Sequence, residues 1–320
     1  MTLPATREAV FSAEGDDALF RKQIAPLFAN SAFYREKLAE AGFDIAQTVG
    51  GIADIAALPF TEKEELRQTG DETYPIGTRL AAPMSEIARV FSTSGTTGTP
   101  SYIPLTAEDL DDWVTVSTRS FGATGVREGD RIVSAYSAGP FVAGVALEAF
   151  VRLGLCDIPV GTGNTERLMA AVKLLKPSTL ALSPSYALHL AEWGEARGMD
   201  LPGSSVQRIL VAGEPGGGEP ELRVQLEAAW GAKVTEAMGI GDNGVSVWGE
   251  CEAQRGMHFS GSGYVHFELI DSESDAVVPL EEGAEGEMVY THLRQHAAPL
   301  LRFRSRDHVR VSMGVWRPLK

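Results

Sequence analysis

Residues 91–100 read FSTSGTTGTP, a run of hydroxyl side chains and glycines that follows the β-prone segment 88–91. Glycine adopts the positive φ angles that turn backbone N–H groups towards an anion, and serine and threonine hydroxyls donate to phosphate oxygens. The residues we assign to this task are Ser94, Gly95, Thr96, Thr97 and Gly98. The run contains no lysine, so it differs from the P-loop pattern GxxxxGK[ST]. We interpret it as a phosphate-binding loop, and a solvated linker is the alternative.

Strand-like and helix-like segments alternate through the middle of the chain. The strand-like segments are 131–136, 157–160, 179–183, 208–212 and 233–237. Pro184 is well placed as the first residue of one of the intervening helices. This order predicts βαβ units and therefore an α/β fold. Ligands bind at the carboxyl ends of the strands in such sheets. The residues at those ends are Tyr136, Ser183, Gly213 and Met238.

The alternation of helix-like and strand-like segments ends at about residue 256. Segments 264–270, 287–291 and 309–311 have the character of strands, and no helix-like segment separates them. We therefore predict an α/β core over residues 1–256, which holds the phosphate loop, and a β-rich subdomain over residues 257–320.

Charge and composition exclude several classes of protein. The 320 residues are 44% hydrophobic and carry a formal net charge of −15. Nucleic acid and anionic membranes attract clustered lysine and arginine, so we expect neither as a partner. Two cysteines, and an N-terminus without a basic segment followed by an apolar one, indicate a reducing compartment. We predict a cytoplasmic protein.

Further motifs accompany the phosphate loop in a fixed order. They are FYR at 33–35, LPFTEKEEL at 58–66, AYSAG at 135–139, SPSY at 183–186, AGEP at 212–215 and PLLRFRSRD at 299–307. Together with TSGTTGTP at 93–100, they resemble the adenylate-forming superfamily, and within it the phenylacetate-CoA ligase branch. The resemblance covers about residues 20–311 in the right order, which a chance match of one loop would not do.

The resemblance implies both a fold and a reaction. The fold is the large N-terminal domain of an acyl-CoA or aryl-CoA ligase, with layered sheets, helices and a β-rich subdomain. The reaction is ATP-dependent activation of an aryl carboxylic acid, phenylacetate or a similar acid, to an acyl-adenylate and then to a coenzyme A thioester. ATP, Mg²⁺ and coenzyme A are the expected cofactors and co-substrates, although another acceptor stays open. Members of the branch commonly form dimers, so the resemblance also implies a homodimer.

The resemblance also assigns residues to the nucleotide. Asp307 in the RFRSRD motif stands where the family has the aspartate that accepts both ribose hydroxyls. Residues 238–242 stand where the family has an aromatic residue that stacks on adenine and an acid that helps to hold magnesium. Here Met238 replaces the aromatic residue, and Asp242 replaces a glutamate. Aspartate is a hard oxygen ligand for Mg²⁺. The predicted catalytic residues are Thr96, Thr97 and Asp242. A simple turn that holds no metal is the alternative for Asp242, and a surface aspartate in a turn is the alternative for Asp307.

The acyl group is expected beside the adenine. The predicted acyl pocket draws on Tyr136, Phe141, Ala212, Gly213, Met238 and Gly239. In the relatives the segment that corresponds to Gly213, Glu214 and Pro215 shapes both the adenine and the acyl pockets, and Gly239 is predicted to contact the nucleotide as well as the acyl group. An ordinary turn from strand to helix is the alternative for residues 213–215.

A structural zinc site is not expected. Some members of the branch hold zinc through cysteine and histidine, and Cys251 and His258 raise that question here. No cysteine follows residue 251 in the sequence, and structural zinc sites are almost always four-coordinate with Cys and His ligands.

The sequence leaves two functional hypotheses. Family members continue beyond the ribose aspartate into a small C-terminal lid domain that carries a catalytic lysine, and residues 309–320 hold no such domain. The first is an aryl-CoA ligase, either as a fragment of a longer gene product or as a natural short form whose lid is absent or supplied by a separate polypeptide. The second is a nucleotide-binding and acyl-binding module that acts as a sensor or partner protein. Loss of a lid that supplies a cation and excludes water would slow adenylation.

Overall fold

The computed structural model describes residues 13–43, 51–71, 73–92 and 101–313. Contacts divide the chain into two compact units: unit 1 comprises Met1–Asp112 and Gly261–Lys320, and unit 2 comprises Trp113–Ser260. The boundary predicted between residues 256 and 257 lies close to the end of unit 2. The contacts, however, group the first 112 residues with the C-terminal segment. The sequence-based division into domains stays a prediction.

The N-terminal part of unit 1 is mainly helical. Its described helices are α1 (Ala13–Asn30), α2 (Ala32–Glu40) and α3 (Lys63–Gln68), with 3-10 turns at Ile52–Ala57 and Met84–Glu86. Two antiparallel strands follow, β1 (Ile87–Ser92) and β2 (Tyr102–Thr106), with Ser92 opposite Tyr102. The predicted phosphate-loop residues 93–100 join these strands and lie outside the described part of the chain.

Unit 2 contains a seven-stranded sheet. Helix α4 (Ala107–Ala123) precedes it, and its strands are β3 (Arg131–Ser134), β4 (Cys156–Pro159), β5 (Thr179–Leu182), β6 (Arg208–Val211), β7 (Lys233–Ile240), β8 (Gly244–Glu250) and β9 (Met257–Phe259). The helices between them are α5 (Gly144–Arg152), α6 (Thr165–Leu175), α7 (Pro184–Glu195) and α8 (Pro220–Trp230). The strand order is β4-β3-β5-β6-β7-β8-β9. The first five strands in that order are parallel, and β8 and β9 pair antiparallel. The predicted α/β fold is confirmed.

Local sequence sets the ends of the helices in unit 2. Pro184 and Pro220 each begin a helix, as suits a residue with a fixed φ and no N–H group. The Asn164 side chain caps α6 by accepting the Arg167 N–H at 2.9 Å. Gly231 ends α8 with a φ of 62°, a left-handed conformation that glycine adopts at low cost.

One face of the parallel strands buries the main apolar core of unit 2. Leu180, Ile209 and Val234 point into it from three strands, and Leu226 and Trp230 of α8 pack against them. These five side chains are fully buried. Among the described residues, no helix is both long and apolar enough to cross a membrane.

The C-terminal part of unit 1 is a four-stranded antiparallel sheet. Its strands are β10 (Val265–Ile270), β11 (Val277–Val278), β12 (Glu285–His292) and β13 (Phe303–Arg310), in the order β11-β10-β12-β13. The expectation of successive strands in this part of the chain is confirmed.

Three of the sequence motifs meet in a closed ring of hydrogen bonds in unit 1. The Leu301 N–H donates to the Tyr34 hydroxyl at 3.0 Å, and the Thr61 hydroxyl donates to the Leu301 carbonyl at 2.6 Å. The Tyr34 and Thr61 oxygens lie 3.2 Å apart, so Tyr34 donates to Thr61 and every proton in the ring has an acceptor. Thr61 also pairs with Phe303 as a parallel bridge. FYR, LPFT and PLLRFRSRD therefore form one buried junction.

We predict that Tyr34→Phe destabilises the protein by about 1–3 kcal/mol, because the buried Leu301 N–H loses its acceptor. Tyr34 is only 1% exposed, whereas Tyr74 is 71% exposed, so Tyr74→Phe is the matched control. Urea denaturation monitored by circular dichroism measures both. Equal midpoints for the two variants would contradict the importance of the ring.

A second prediction concerns Asp157 in the edge strand β4. Burial raises the pKa of this carboxyl to about 6, although a hydrogen bond with the Ile158 backbone lowers it. A carboxyl with a raised pKa in the folded state holds its proton more tightly there than in the unfolded chain. Stability therefore falls as the pH rises from about 4 to above 6 and stays lower at higher pH.

We expect Asp157→Asn to raise the melting temperature at pH 8 by about 2–4 °C. The advantage should shrink as the pH falls and vanish near pH 4, where Asp157 is neutral in both states. Thermal melts of both proteins between pH 4 and 8 test this, and a difference that does not change with pH would refute the assignment.

Candidate functional site

Tyr136 ties three neighbouring strand ends together in unit 2. It follows β3, and its hydroxyl lies 3.0 Å from the Leu182 carbonyl oxygen and 3.1 Å from the Ala212 carbonyl oxygen. Leu182 ends β5, and Ala212 follows β6. Burial, together with the nearby charge of Glu214, raises the pKa of the Tyr136 phenol far above its usual value. The hydroxyl therefore stays protonated, and its single proton is shared between the two carbonyl oxygens.

The glycine-rich loop at 213–218 follows β6. Gly213 has a φ of 96° and Gly216 a φ of 133°, values that residues other than glycine rarely adopt. Within this loop, the Glu214 carboxylate accepts the Ser185 N–H at 2.7 Å. Ser185 lies in the first turn of α7, where the helix dipole favours a negative charge.

Hydrogen bonding outweighs burial at Glu214. Burial raises the pKa of this carboxyl, but hydrogen bonds from the Ser185 hydroxyl and N–H and from the Ser183 hydroxyl bring it below its usual value. Glu214 is therefore ionised at neutral pH and joins the loop to α7. Its predicted contact with a ligand stays a prediction.

A buried ion pair fixes the far end of the same loop. Arg223 of α8 donates to both carboxylate oxygens of Glu250, at 2.9 and 2.8 Å, and to the Gly217 carbonyl at 2.9 and 2.7 Å. Burial, foremost, and the charge of Glu250 raise the pKa of Glu236, whereas Arg223 and the N–H groups of Gly217 and Gly218 lower it, and the net shift is upward.

The sequence analysis did not predict the ion pair between Arg223 and Glu250 or the burial of Glu236 beside the loop. The signal that could have found them is a glutamate inside each of the two strands β7 and β8, where a charge needs a partner.

The turn between β7 and β8 carries the predicted magnesium ligand. Asp242 is 3% exposed, and Asn243 beside it is equally buried. Met238 lies opposite Trp248, and the register shifts between Met238 and Ile240. A Cβ atom on Gly239 would lie 2.0 Å from the Val245 carbonyl oxygen, so the hairpin requires glycine at this position.

No metal centre of protein ligands alone is formed in the described ranges. They contain no group of three or more His, Cys, Asp or Glu side chains arranged to hold an ion. Cys251 follows β8, and His258 lies in β9, where burial lowers its pKa. A single buried carboxylate such as Asp242 fits Mg²⁺, which proteins often bind through one or two carboxylates together with substrate phosphates and water.

Asp307 lies in β13 of unit 1. Its N–H donates to the Ser305 hydroxyl at 3.0 Å. Burial raises the pKa of the Asp307 carboxyl, Glu287 raises it further, and Ser305 and His308 lower it. The half-buried carboxylate keeps the acceptor oxygens that its predicted contact with ribose hydroxyls requires.

The first arginine of the RFRSRD motif is buried and has a structural task. Arg302 donates to Glu268 at 3.1 Å and to the carbonyls of Ala56 and Leu58 at 2.7 Å. Its guanidinium lies 4.0 Å from the Phe60 ring centroid. Arg302 therefore anchors the start of β13 within unit 1.

The structure thus brings some of the predicted site residues close to one another. Tyr136, Ala212 and Glu214 lie together at the strand ends of unit 2, and Met238, Gly239 and Asp242 share one hairpin. Pro215 lies in the loop after Glu214. Phe141 is 49% exposed, in the segment before α5, and its place in an acyl pocket stays a prediction. Ser94, Gly95, Thr96, Thr97 and Gly98 lie outside the described residues.

Comparison with known proteins identifies the family of the chain. The family signature described as AMP-binding enzyme matches residues 26–292. The chain is 31% identical to a phenylacetate-coenzyme A ligase of Pseudomonas putida over 95% of its own length and 69% of the relative's. It is 34% identical to a phenylacetate-coenzyme A ligase of Thermus thermophilus over 90% of its own length and 63% of the relative's.

A solved structure shares the fold. The crystal structure of 2-hydroxyisobutyryl-CoA ligase, in complex with 2-HIB-AMP and CoA, superimposes with a TM-score of 0.86 at 28% identity. The match covers 95% of this chain and 64% of that one. The chain therefore spans about two thirds of the length of these relatives.

The chain belongs to the family of AMP-binding enzymes, since the family signature covers most of its length. The relatives narrow the assignment. Within the family its homologues include the phenylacetate-coenzyme A ligases, as the motifs between residues 33 and 307 indicated.

We predict that Gly239→Ala disrupts the hairpin that carries Asp242. The added methyl group would collide with the Val245 backbone, which cannot move aside as a side chain does, and overpacking of this kind costs about 1–3 kcal/mol. Gly122→Ala in α4 is the control, because its Cβ would meet Leu153 at an ordinary 3.5 Å. Urea denaturation should show a lower midpoint for Gly239→Ala only. An unchanged midpoint for Gly239→Ala would contradict the close approach of the two backbone segments.

Proposed function

We propose that the chain activates an aryl carboxylic acid with ATP and passes the acyl group to coenzyme A. The observation that carries this proposal is the similarity to phenylacetate-coenzyme A ligases along almost the whole chain. The strand ends at Tyr136, Ala212 and Glu214 support it, because ligands of α/β sheets bind at such ends.

The reaction has two steps. A carboxylate oxygen of the acid attacks the α-phosphorus of ATP, and pyrophosphate leaves with the electrons of the broken P–O bond. The coenzyme A thiol, after losing its proton, then attacks the acyl carbon of the adenylate, and AMP leaves. Catalysis of such transfers rests mainly on positioning and on stabilisation of charge on oxygen.

The residues have separate tasks in this proposal. Ser94, Gly95, Thr96, Thr97 and Gly98 would hold the phosphates through hydroxyl and backbone donors. Asp307 would accept the ribose hydroxyls. Asp242 would hold Mg²⁺, which neutralises phosphate charge when it is bound.

The strand ends of unit 2 would hold the base and the acid. We assign to them Tyr136, Phe141, Ala212, Gly213, Glu214, Pro215, Met238 and Gly239. Because the Tyr136 hydroxyl is engaged with main-chain carbonyls, its ring is held in place and would present a fixed wall to a flat substrate. Met238 suits the base, because methionine packs on rings through its polarisable sulfur.

Three finer points belong to the same proposal. We place the reaction in the cytoplasm, in keeping with two free cysteines. A homodimer is expected from the family resemblance, and a separately supplied lid polypeptide is one of the alternatives that the sequence leaves open. Sedimentation of the purified chain tests the first, and stimulation of its activity by an added C-terminal domain of a relative tests the second.

The central test is an adenylation assay. The purified chain is incubated with Mg-ATP, hydroxylamine and a panel of aryl and short aliphatic acids, and hydroxamate and pyrophosphate are measured. We expect one aryl acid to give the strongest signal. Asp307→Ala should reduce that signal by about tenfold or more, because hydrogen bonds to a charged group are lost.

The control is Asp271→Ala, which changes an exposed aspartate in a turn of unit 1. It should leave the signal unchanged. ATP binding without an acid-dependent product from any acid in the panel would contradict the ligase proposal and support a binding module instead.

A further inference from the structure

Strand β13 contains an irregularity that includes Asp307. In the pairing of β12 with β13, Glu287 lies opposite His308 and Val289 lies opposite Arg304. The single residue Met288 therefore faces three residues, 305–307. Such bulges bend a strand and redirect the side chains at the bulge.

The backbone of the bulge is in an unfavourable conformation. Arg306 has a φ of 65°, in the left-handed region that residues other than glycine seldom adopt. Residues keep this conformation only where the surrounding contacts hold it. The position of the next residue, Asp307, depends on those contacts.

Glu287 supplies them from β12. It is 0% exposed, and its carboxylate accepts the Arg306 N–H at 3.2 Å. This hydrogen bond satisfies a backbone donor that the bulge has removed from the strand ladder. The Arg306 guanidinium also lies 3.7 Å from the same carboxylate.

Arg304 keeps the Glu287 carboxylate in place. Its guanidinium donates to the two carboxylate oxygens at 3.1 and 2.7 Å and to Asp275 at 2.8 Å. Arg304 is itself buried, so the pair is shielded from water. A carboxylate held by a fork of two donors has little freedom to turn, and the bond to the Arg306 N–H keeps its direction.

We propose that Glu287 is a positioning residue for the nucleotide site: held by Arg304, it fixes the bulge at Arg306 and thereby aims Asp307 at the ribose hydroxyls. This rests on the proposed role of Asp307. Glu287 acts through the strand and touches no ligand. It is one of two glutamates on β12 that pair with arginines on β13, and the second, Glu285, pairs with Arg310 at the exposed end of the strands.

The test compares two ligands that differ only at the ribose. Calorimetry measures the dissociation constants of AMP and of 2′,3′-dideoxyadenosine monophosphate for the full chain. Wild type should prefer AMP by about tenfold or more, since the dideoxy ligand cannot donate to Asp307. Glu287→Gln should bring this ratio close to one, because the amide nitrogen of glutamine cannot accept one of the hydrogen bonds that the carboxylate accepted.

Glu285→Gln is the matched control and should keep the wild-type ratio, because its side chain is 61% exposed and lies away from the bulge. A purely structural defect would weaken both ligands equally and leave their ratio unchanged. A wild-type ratio in Glu287→Gln would therefore overturn the inference. A wild-type protein that binds AMP without preferring it to the dideoxy ligand would overturn the role of Asp307 and this inference with it. Absence of AMP binding would count against the nucleotide site as a whole.

A second variant serves if Glu287→Gln does not unfold cooperatively. Arg304→Lys keeps the positive charge but loses the two-pronged contact, so the carboxylate can turn away from the Arg306 N–H. The ratio of the two dissociation constants should fall in Arg304→Lys as well, and an unchanged ratio would refute the inference.

Discussion

A buried carboxylate is stable only beside a cation and enough hydrogen-bond donors, and this requirement organises both units. In unit 2, Glu250 binds Arg223, which in turn holds the Gly217 carbonyl. In unit 1, Glu287 binds Arg304 and the backbone of Arg306. Each pair lies next to a segment with residues predicted to contact a ligand. The charges therefore contribute to the shape of irregular backbone that apolar packing alone would not fix.

Much of the fold was accessible from the sequence. The parallel strands of unit 2 were recognisable as short apolar runs between helix signals, and Pro184 marked the start of a helix as expected. These features depend on residues close together in the chain. The family followed from motifs in a fixed order, and the comparisons confirm it.

The contacts that hold the site residues in place could not be predicted from the sequence in the same way. Glu285 and Glu287 have the same alternation in β12, which predicts the same solvated face for both, yet Glu287 is fully buried. Its burial depends on Arg304 and on a bulge in another strand, and neither can be read from the residues around it. The requirement for glycine at position 239 also could not be predicted from the neighbouring residues, because only the approach of the Val245 backbone excludes a side chain there.

The route of the chain through unit 1 has a consequence for synthesis on the ribosome. The Thr61 hydroxyl and the Leu301 carbonyl are hydrogen-bonded across 240 residues, whereas unit 2 is continuous in sequence. Unit 2 has all of its strands available once residue 260 has emerged. Unit 1 must wait for β13, and closing so long a loop delays contacts of this kind. The N-terminal helices therefore expose apolar faces until β13 has been synthesised, and Asp307 reaches its native surroundings only after the whole of unit 2 has emerged.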